Sequence, residues 1–523
     1  MGKTETGLWY HPENVACRGP FHESLHSSLV LPLSSVRKSV FYSLTQNYLV
    51  LVTQLVTSMV LARILTPAEV GVFSVAAALS GLASVVRDFG VAEYLIQEVE
   101  LTADKIRAAF TVNIMVSWLM ASLMFGGSYF VVEFYGEPGI GKVMQVLSIN
   151  FILIPFGAIT MAYFRRQLNF APGFCISVVA GLATSATAIG LGLAGFSYMS
   201  MAYSSLLGVA ISVAMSVAMR PPELPRFPGV RGLGHVLSFS GFASGIYIFG
   251  QLGRSAPDLI MGRAAGMESV GLLNRAYGFL EMFARTIMSA VHRVALPYFS
   301  SIQRRGGDVG AGFLRTILMS TSVGWPFFAI CGVLALPAIR VLFGPQWDAA
   351  VPLLRILCFA AAIDLILLMA SEVLLALSRV KLSSLLQGCL QLLKLAVMMA
   401  FAPFGLEPFC YGVVLASTLN VLVAVFFLRK AIPLRWRDLV SACLPAGGLA
   451  LAAALGALTG LVIVDGIFPF DLARAIAGGA MAAITTIAAI FLFGHPYAME
   501  FRKLRGAVAA TWKRLRGNLD SGK

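Results

Sequence analysis

Long apolar stretches separated by short polar turns run almost from end to end of this chain. A bilayer core takes about 20 mostly apolar residues per helix. Fourteen segments reach that length: 39–61, 70–89, 108–132, 143–164, 174–195, 198–219, 236–258, 270–296, 313–336, 351–376, 382–403, 409–428, 439–461 and 475–494. The turns are short, 90–107 being the longest, and none has room for a separate soluble domain. Membrane strands would alternate over about ten residues, whereas these runs are continuous. The pattern predicts an all-α polytopic membrane protein.

The pattern also repeats. Ala62-Arg63, Val70-Gly71 and Ala76 return as Gly262-Arg263, Val270-Gly271 and Ala276. Phe134-Tyr135-Gly136 faces Leu342-Phe343-Gly344, and Arg220 and Arg429 each close a sixth span. An even number of spans per half gives both halves the same orientation. We therefore expect two parallel six-helix repeats, with the substrate path between them. The expected organisation is a flexible cytoplasmic tail over 1–38, a first bundle over 39–219 and a linker over 220–235. A second bundle over 236–428, two appended helices over 439–494 and a basic tail over 495–523 complete it.

Composition agrees with a membrane class. Hydrophobic residues make up 58% and charged ones 12%, yet the net charge is +14. With the N-terminus inside, the tails and even-numbered turns collect 26 of the 39 basic residues. Arg63, Lys142, Arg263, Arg340 and Arg474 fall outside, and the remaining eight lie within spans. Basic residues concentrate on the cytoplasmic side of membrane proteins, so both termini are expected inside. The excess charge is thus an orientation signal and points to no nucleic-acid partner. The seven cysteines form no C-x-x-C pair, and neither a metal site nor a disulfide framework is expected. Gly190-Leu191-Gly192-Leu193-Ala194-Gly195 lies within an apolar span rather than after a strand, so it is no dinucleotide loop. Gly136 to Lys142 nearly spells a phosphate loop, but Val143 stands where a hydroxyl is required.

Leu61-Ala62-Arg63-Ile64-Leu65-Thr66-Pro67-Ala68-Glu69-Val70-Gly71 is followed by Asp88-Phe89-Gly90 and Leu95-Ile96-Gln97. With Phe164-Arg165-Arg166-Gln167-Leu168-Asn169-Phe170, Asp258-Leu259-Ile260-Met261-Gly262, Ala295-Leu296-Pro297-Tyr298-Phe299 and Leu342-Phe343-Gly344-Pro345-Gln346-Trp347, this resembles the Wzx-like oligosaccharide flippases of the polysaccharide biosynthesis and export family. The resemblance covers roughly 37–430 and is closest to exporters of succinoglycan-type exopolysaccharides. It departs at Leu272-Leu273-Asn274, where the family has a tyrosine, and in the N-terminal tail. The family shares a superfamily with multidrug and toxin extrusion transporters and the lipid II flippase. The resemblance implies a transporter rather than an enzyme, in the bacterial inner membrane. It would move a polyprenyl-pyrophosphate-linked oligosaccharide from the cytoplasmic to the periplasmic leaflet, where a polymerase then assembles it; the polymerase and glycosyltransferases are the expected protein partners. The rivals are an ion-coupled small-molecule antiporter of the same fold, or a polymerase or scaffold of polysaccharide assembly.

Two polar stripes fit such a task. Asn47, Gln54 and Ser58 lie on the first span, and Ser244, Tyr247, Gln251, Arg254 and Asp258 follow helical spacing on the seventh. In lipid a polar stripe faces water or another helix. We expect both, with Glu281, to line a central cavity. Arg254, Arg275 and Arg285 are the candidates to hold an anionic headgroup, since guanidinium matches phosphate oxygens; the competing reading pairs Glu281 with Arg285. Lys394 with Asp364 and Glu372 forms either an ion-coupling site for H+ or Na+ or a structural ion pair. Arg63, Arg87, Asp88 and Arg263 sit at span ends, where packing or gating is expected. No cofactor is expected.

Overall fold

The computed structural model describes residues 33–88, 91–98, 100–225, 227–230, 233–283, 289–465, 470–492 and 497; the side chains of 33–44, 93, 235–249, 282–283 and 289–293 fall outside that description. The expected tails over 1–38 and 495–523 lie almost wholly outside it. The regular structure among the described residues is all helical. The first half comprises α1 (Leu33–Ile64), α2 (Pro67–Asp88), α3 (Val91–Gln97), α4 (Ala103–Tyr135), α5 (Pro138–Arg166), α6 (Phe170–Leu193) and α7 (Met199–Ala218). The second comprises α8 (Leu233–Ala264), α9 (Gly266–Phe283), α10 (Ser289–Arg304), α11 (Val309–Val333), α12 (Ala335–Leu342), α13 (Ala350–Asp364), α14 (Ala370–Ala376), α15 (Val380–Phe401) and α16 (Leu406–Leu428). The appended pair is α17 (Trp436–Asp465) and α18 (Asp471–Leu492).

Helix is the form in which an apolar run satisfies its own backbone in lipid. Twelve helices among the described residues are long and apolar enough to cross a membrane, α13 and α14 counting as one broken span. The expected count of fourteen is therefore not reached: the other two expected segments map to α8 and to a stretch running from α9 past Phe283, both only partly described.

Local chemistry fixes the ends. Thr66 and Glu69 form a reciprocal capping box, the Thr66 N–H donating to Glu69 Oε2 at 2.7 Å and the Glu69 N–H to Thr66 Oγ1 at 3.4 Å. Pro67 opens the helix, where its missing N–H costs nothing. Asp308 caps α11 by accepting from the N–H groups of Gly310 and Ala311. Gly136 ends α4 in the left-handed region at φ 71°, which glycine adopts without strain.

The same neighbours recur in both halves. α4 packs on α5, α5 on α7, α6 on α7, α1 on α6 and α2 on α5. In the second half α11 packs on α13, α13 on α16, α15 on α16, α8 on α15 and α9 on α13. The α17–α18 hairpin packs on α11.

The buried core is arranged unequally along the helices. One end of the bundle carries the 65–66 and 265–266 turns and few basic residues; we call it the base-poor face, and the opposite end the basic face. Toward the base-poor face one core joins both halves, with Ala62, Leu65, Val70, Val75 and Met144 packed with Met261, Val270, Leu273, Ile339 and Trp347. Toward the basic face each half keeps its own core. Val91, Leu95, Phe110 and Ile159 belong to the first, and Phe299, Phe313, Val373 and Leu428 to the second. Leu233, at the start of α8, packs against the first of these. The halves are thus sealed together by one core at one end, while at the other their cores are distinct and the start of α8 bridges onto the first half.

Candidate functional site

α1 has three faces. Tyr48, Val52 and Val56 are exposed and apolar, as a lipid-facing surface should be. Gln46, Thr53 and Thr57 turn toward α6: Gln46 Nε2 donates to Ser177 Oγ at 3.1 Å, while each threonine hydroxyl donates 2.8 Å back to the carbonyl four residues earlier. Asn47, Gln54 and Ser58 fall within about 40° of one another on the third face. Asn47 and Gln54 are exposed, and Ser58 is half-buried.

On α8 the side chains of Ser244 and Tyr247 lie outside the described residues. Gln251 organises the turn of helix beyond them. Its Oε1 accepts from Arg254 Nε at 3.2 Å and Nη2 at 2.7 Å, and its Nε2 donates to Ser255 Oγ at 3.1 Å. Ser255 in turn donates to the Ala78 carbonyl on α2, at 3.3 Å. A hydrogen-bonded chain therefore runs from the first half to an exposed arginine. Arg254 makes no ion pair with any described residue. If α8 crosses the membrane as its sequence predicts, a charge there without a carboxylate beside it is a candidate ligand site.

Arg275 stands at the same depth. Arg254 and Arg275 flank the α8–α9 turn about equally, roughly 15 Å from it at 1.5 Å per residue. Arg275 Nη1 donates to Ser58 Oγ at 2.7 Å, so the polar line of α1 ends on it. Its guanidinium lies 5.2 Å from the Phe343 ring centre and 4.8 Å from that of Trp347. Its Nε is buried without a hydrogen-bond partner. Beside it on α9, Asn274 faces the Asp258 carboxylate of α8. Arg285 lies outside the described residues.

The base-poor closure has two parts. α2 and α9 cross with backbones almost touching: a Cβ on Gly71 would sit 1.8 Å from the Met267 carbonyl oxygen, and one on Gly271 1.9 Å from that of Pro67. The two contacts are reciprocal and 200 positions apart, so the repeat seen in the sequence meets itself here. The Leu342–Trp347 loop then locks onto the end of α1. Gln346 Nε2 donates to the Ala62 carbonyl and, at 3.2 Å, to that of Leu65; Trp347 Nε1 donates to Ala62 at 2.7 Å. Arg63 Nη2 donates to the Val341 carbonyl at 2.8 Å in return. Arg340, paired with Asp348 at 2.6 Å, steadies the loop; that carboxylate also raises the guanidinium pKa above its ordinary value by hydrogen bonding.

The other expected residues are scattered. Arg263 lies 5.4 Å from the Phe134 ring centre at the base-poor face. Arg87 pairs with Asp88 at 2.6 Å and stacks 5.2 Å from the Phe151 ring centre at the opposite end of α2. Lys394 is half-buried in a narrow cleft with Gly253, Ala256 and Gln391, between α8 and α15. No ion pair between described residues joins it to Asp364 or Glu372, both half-buried. The sequence assigns no functional role to Gln346, Trp347 or Asn274, whereas Ser255 belongs to the polar stripe of the seventh span. The Leu342-to-Trp347 motif was the available signal, but carbonyl acceptors leave no mark in a sequence.

Comparison with known proteins places this arrangement. A family described as "Polysaccharide biosynthesis protein" matches residues 60–352. The teichuronic acid biosynthesis protein TuaB of Bacillus subtilis is 24% identical over 366 residues, 67% of this chain and 74% of that one. The succinoglycan biosynthesis transport protein ExoT of Rhizobium meliloti is 24% identical over 311 residues, 59% of this chain and 62% of that one. In fold, the chain is similar to the lipid II flippase MurJ in an inward closed conformation, with TM-score 0.68 and 13% identity over 87% of this chain and 99% of that one. It is also similar to a multidrug resistance MATE transporter in an inward-facing conformation, at TM-score 0.54 and 15% identity, covering 75% and 94%.

Proposed function

Since this chain belongs to the polysaccharide biosynthesis protein family, which matches it over residues 60–352, we propose that it is a flippase for polyprenyl-pyrophosphate-linked oligosaccharides working by alternating access. The observation that carries the reading is Arg254, an exposed guanidinium on α8, braced by Gln251 and paired with no described carboxylate. A pyrophosphate offers the acceptors that such a group lacks.

In this reading the basic face is cytoplasmic and the protein sits in the bacterial inner membrane with both termini inside. The cores of the two halves are distinct there, and the headgroup enters between α1 and α8, whose polar stripes face the same path. Asn47 and Gln54 offer amides to sugar hydroxyls, Arg254 held by Gln251 takes the pyrophosphate, and the polyprenyl tail stays in lipid. Opening the base-poor closure while the basic face closes delivers the headgroup outward. An inside-negative potential favours that movement by ~2.3 kcal/mol per negative charge per 100 mV. Exchange of H+ or Na+ at Asp364, Glu372 and Lys394 is the other source of energy we propose. A drug antiporter of this fold would need acid where Arg254 stands.

Vesicles reconstituted with the protein and a lipid-linked oligosaccharide test this. Translocation should appear with the protein and fall at least tenfold in Arg254→Ala. Normal flipping by Arg254→Ala would remove the headgroup assignment. Imposed gradients separate the two energy sources, and undiminished flipping without any gradient would eliminate both.

A further inference from the structure

Arg275 is built differently from Arg254. It touches both halves at once: Ser58 of α1 through a 2.7 Å hydrogen bond, and the rings of Phe343 and Trp347 that belong to the second half's locking loop. Trp347 itself donates across the halves to Ala62. Removing the guanidinium would therefore loosen the loop's packing and the end of α1 together. Yet this cation is incompletely satisfied. It makes no ion pair with a described residue, and its buried Nε has no hydrogen-bond partner. A hydroxyl and two ring faces hold a guanidinium less strongly than an oxyanion does, because a phosphate brings a full opposite charge and accepts two parallel N–H bonds where the hydroxyl accepts one. It also ends the polar line of Asn47, Gln54 and Ser58 on α1, at the depth of Arg254.

We infer that Arg275 is the trigger of the base-poor gate: a pyrophosphoryl group held at Arg254 draws the Arg275 guanidinium away from Ser58, Phe343 and Trp347, and the gate opens. The inference rests on the headgroup reading above and adds the link between binding and opening. A ligand shifts a two-state equilibrium only by binding one state better than the other. Here the differential contact is the Arg275–anion bond, which the closed gate withholds by keeping the guanidinium on Ser58 and the rings.

The test uses the full chain in lipid nanodiscs, with native cysteines replaced and spin labels on Ala68→Cys and Glu268→Cys, which flank the glycine crossing and are exposed. Distance distributions are recorded alone, with millimolar inorganic pyrophosphate, and with polyprenyl pyrophosphate in the disc; calorimetry measures pyrophosphate binding in parallel. The expected result is a mainly short distance in the unliganded protein, and a long-distance population at least threefold larger with a pyrophosphoryl ligand. Response to the lipid form alone supports a lipid-borne trigger, and response to both supports the pyrophosphoryl group itself. Arg275→Gln should show the long distance without ligand and no further response. Ser58→Ala should raise the unliganded long-distance population while still responding, a readout that does not depend on the arginine variant folding. Binding without any change in distance overturns the trigger and leaves the headgroup site standing. Absence of binding by either form overturns both.

Discussion

Replacing Gly71 with alanine adds one methyl group at the point where the halves touch. Its carbon would lie 1.8 Å from the Met267 carbonyl oxygen and 2.6 Å from the carbonyl carbon. Ordinary C···O approach is about 3.3–3.6 Å, so α2 and α9 must part by roughly 1.5 Å. Nothing flexible can yield, because the obstructing atoms are backbone. Overpacking of this kind costs ~1–3 kcal/mol. The cost falls only on the closed base-poor face, since Gly71 and Met267 belong to different halves, and the equilibrium should move toward the open gate by about 5- to 150-fold. Gly271→Ala meets Pro67 at 1.9 Å and should do the same. The double variant should cost little more than either single one, because one separation relieves both contacts and neighbouring changes need not add. Gln54, exposed on the polar line of α1, reports the opening when changed to cysteine. Its labelling by a membrane-impermeant thiol reagent from the base-poor side should accelerate in that range. Unchanged labelling in a Gly71→Ala protein that melts like its parent would refute the claim that this crossing is the closure.

Other outcomes rest on single contacts. Thr66→Ala removes half of the capping box on α2 and should lower stability by ~1 kcal/mol, read as a lower melting temperature in detergent. Gly456→Ala places a Cβ 2.0 Å from Thr485 Oγ1 and 2.8 Å from the Met481 carbonyl oxygen, so the α17–α18 hairpin should lose ~1–3 kcal/mol in the same melt while flipping per folded molecule holds. Gln251→Leu should reduce flipping by several-fold yet leave Arg254 in place, because the carbonyl that orients the guanidinium is gone; full activity would show that the brace is dispensable. Lys394→Met should melt within about 0.5 kcal/mol of the parent, since no described ion pair is broken.

Much of the fold was legible because it is written in apolar length. Each described span from α1 to α18 overlaps an expected segment. The repeat was legible for a more specific reason: Val70-Gly71 and Val270-Gly271 carry the two residues without side chains that let the helices cross. The site was harder to read. Periodicity put Arg254 and Gln251 on one stripe, but no spacing rule says that Gln251 is also tied through Ser255 to Ala78 on α2. The sequence offers Arg275 as a headgroup candidate on the eighth span, but aromatic rings some 70 residues away enclose it, and no spacing rule announces them. The three candidates Lys394, Asp364 and Glu372 share polarity, but no ion pair between described residues joins Lys394 to either acid, because adjacent spans in sequence bring helices together without fixing which faces meet.

The lock on α1 has an unusual grammar. Gln346, Trp347 and Arg63 all spend their donors on main-chain carbonyls, at positions 62, 65 and 341. Every residue type has such a carbonyl, so the acceptor side of the lock tolerates almost any substitution that keeps the helix end in place. Donor and acceptor positions are therefore under no pressure to change together. Contacts inferred from paired substitutions across many related sequences would pass over this junction, even though it joins the two halves.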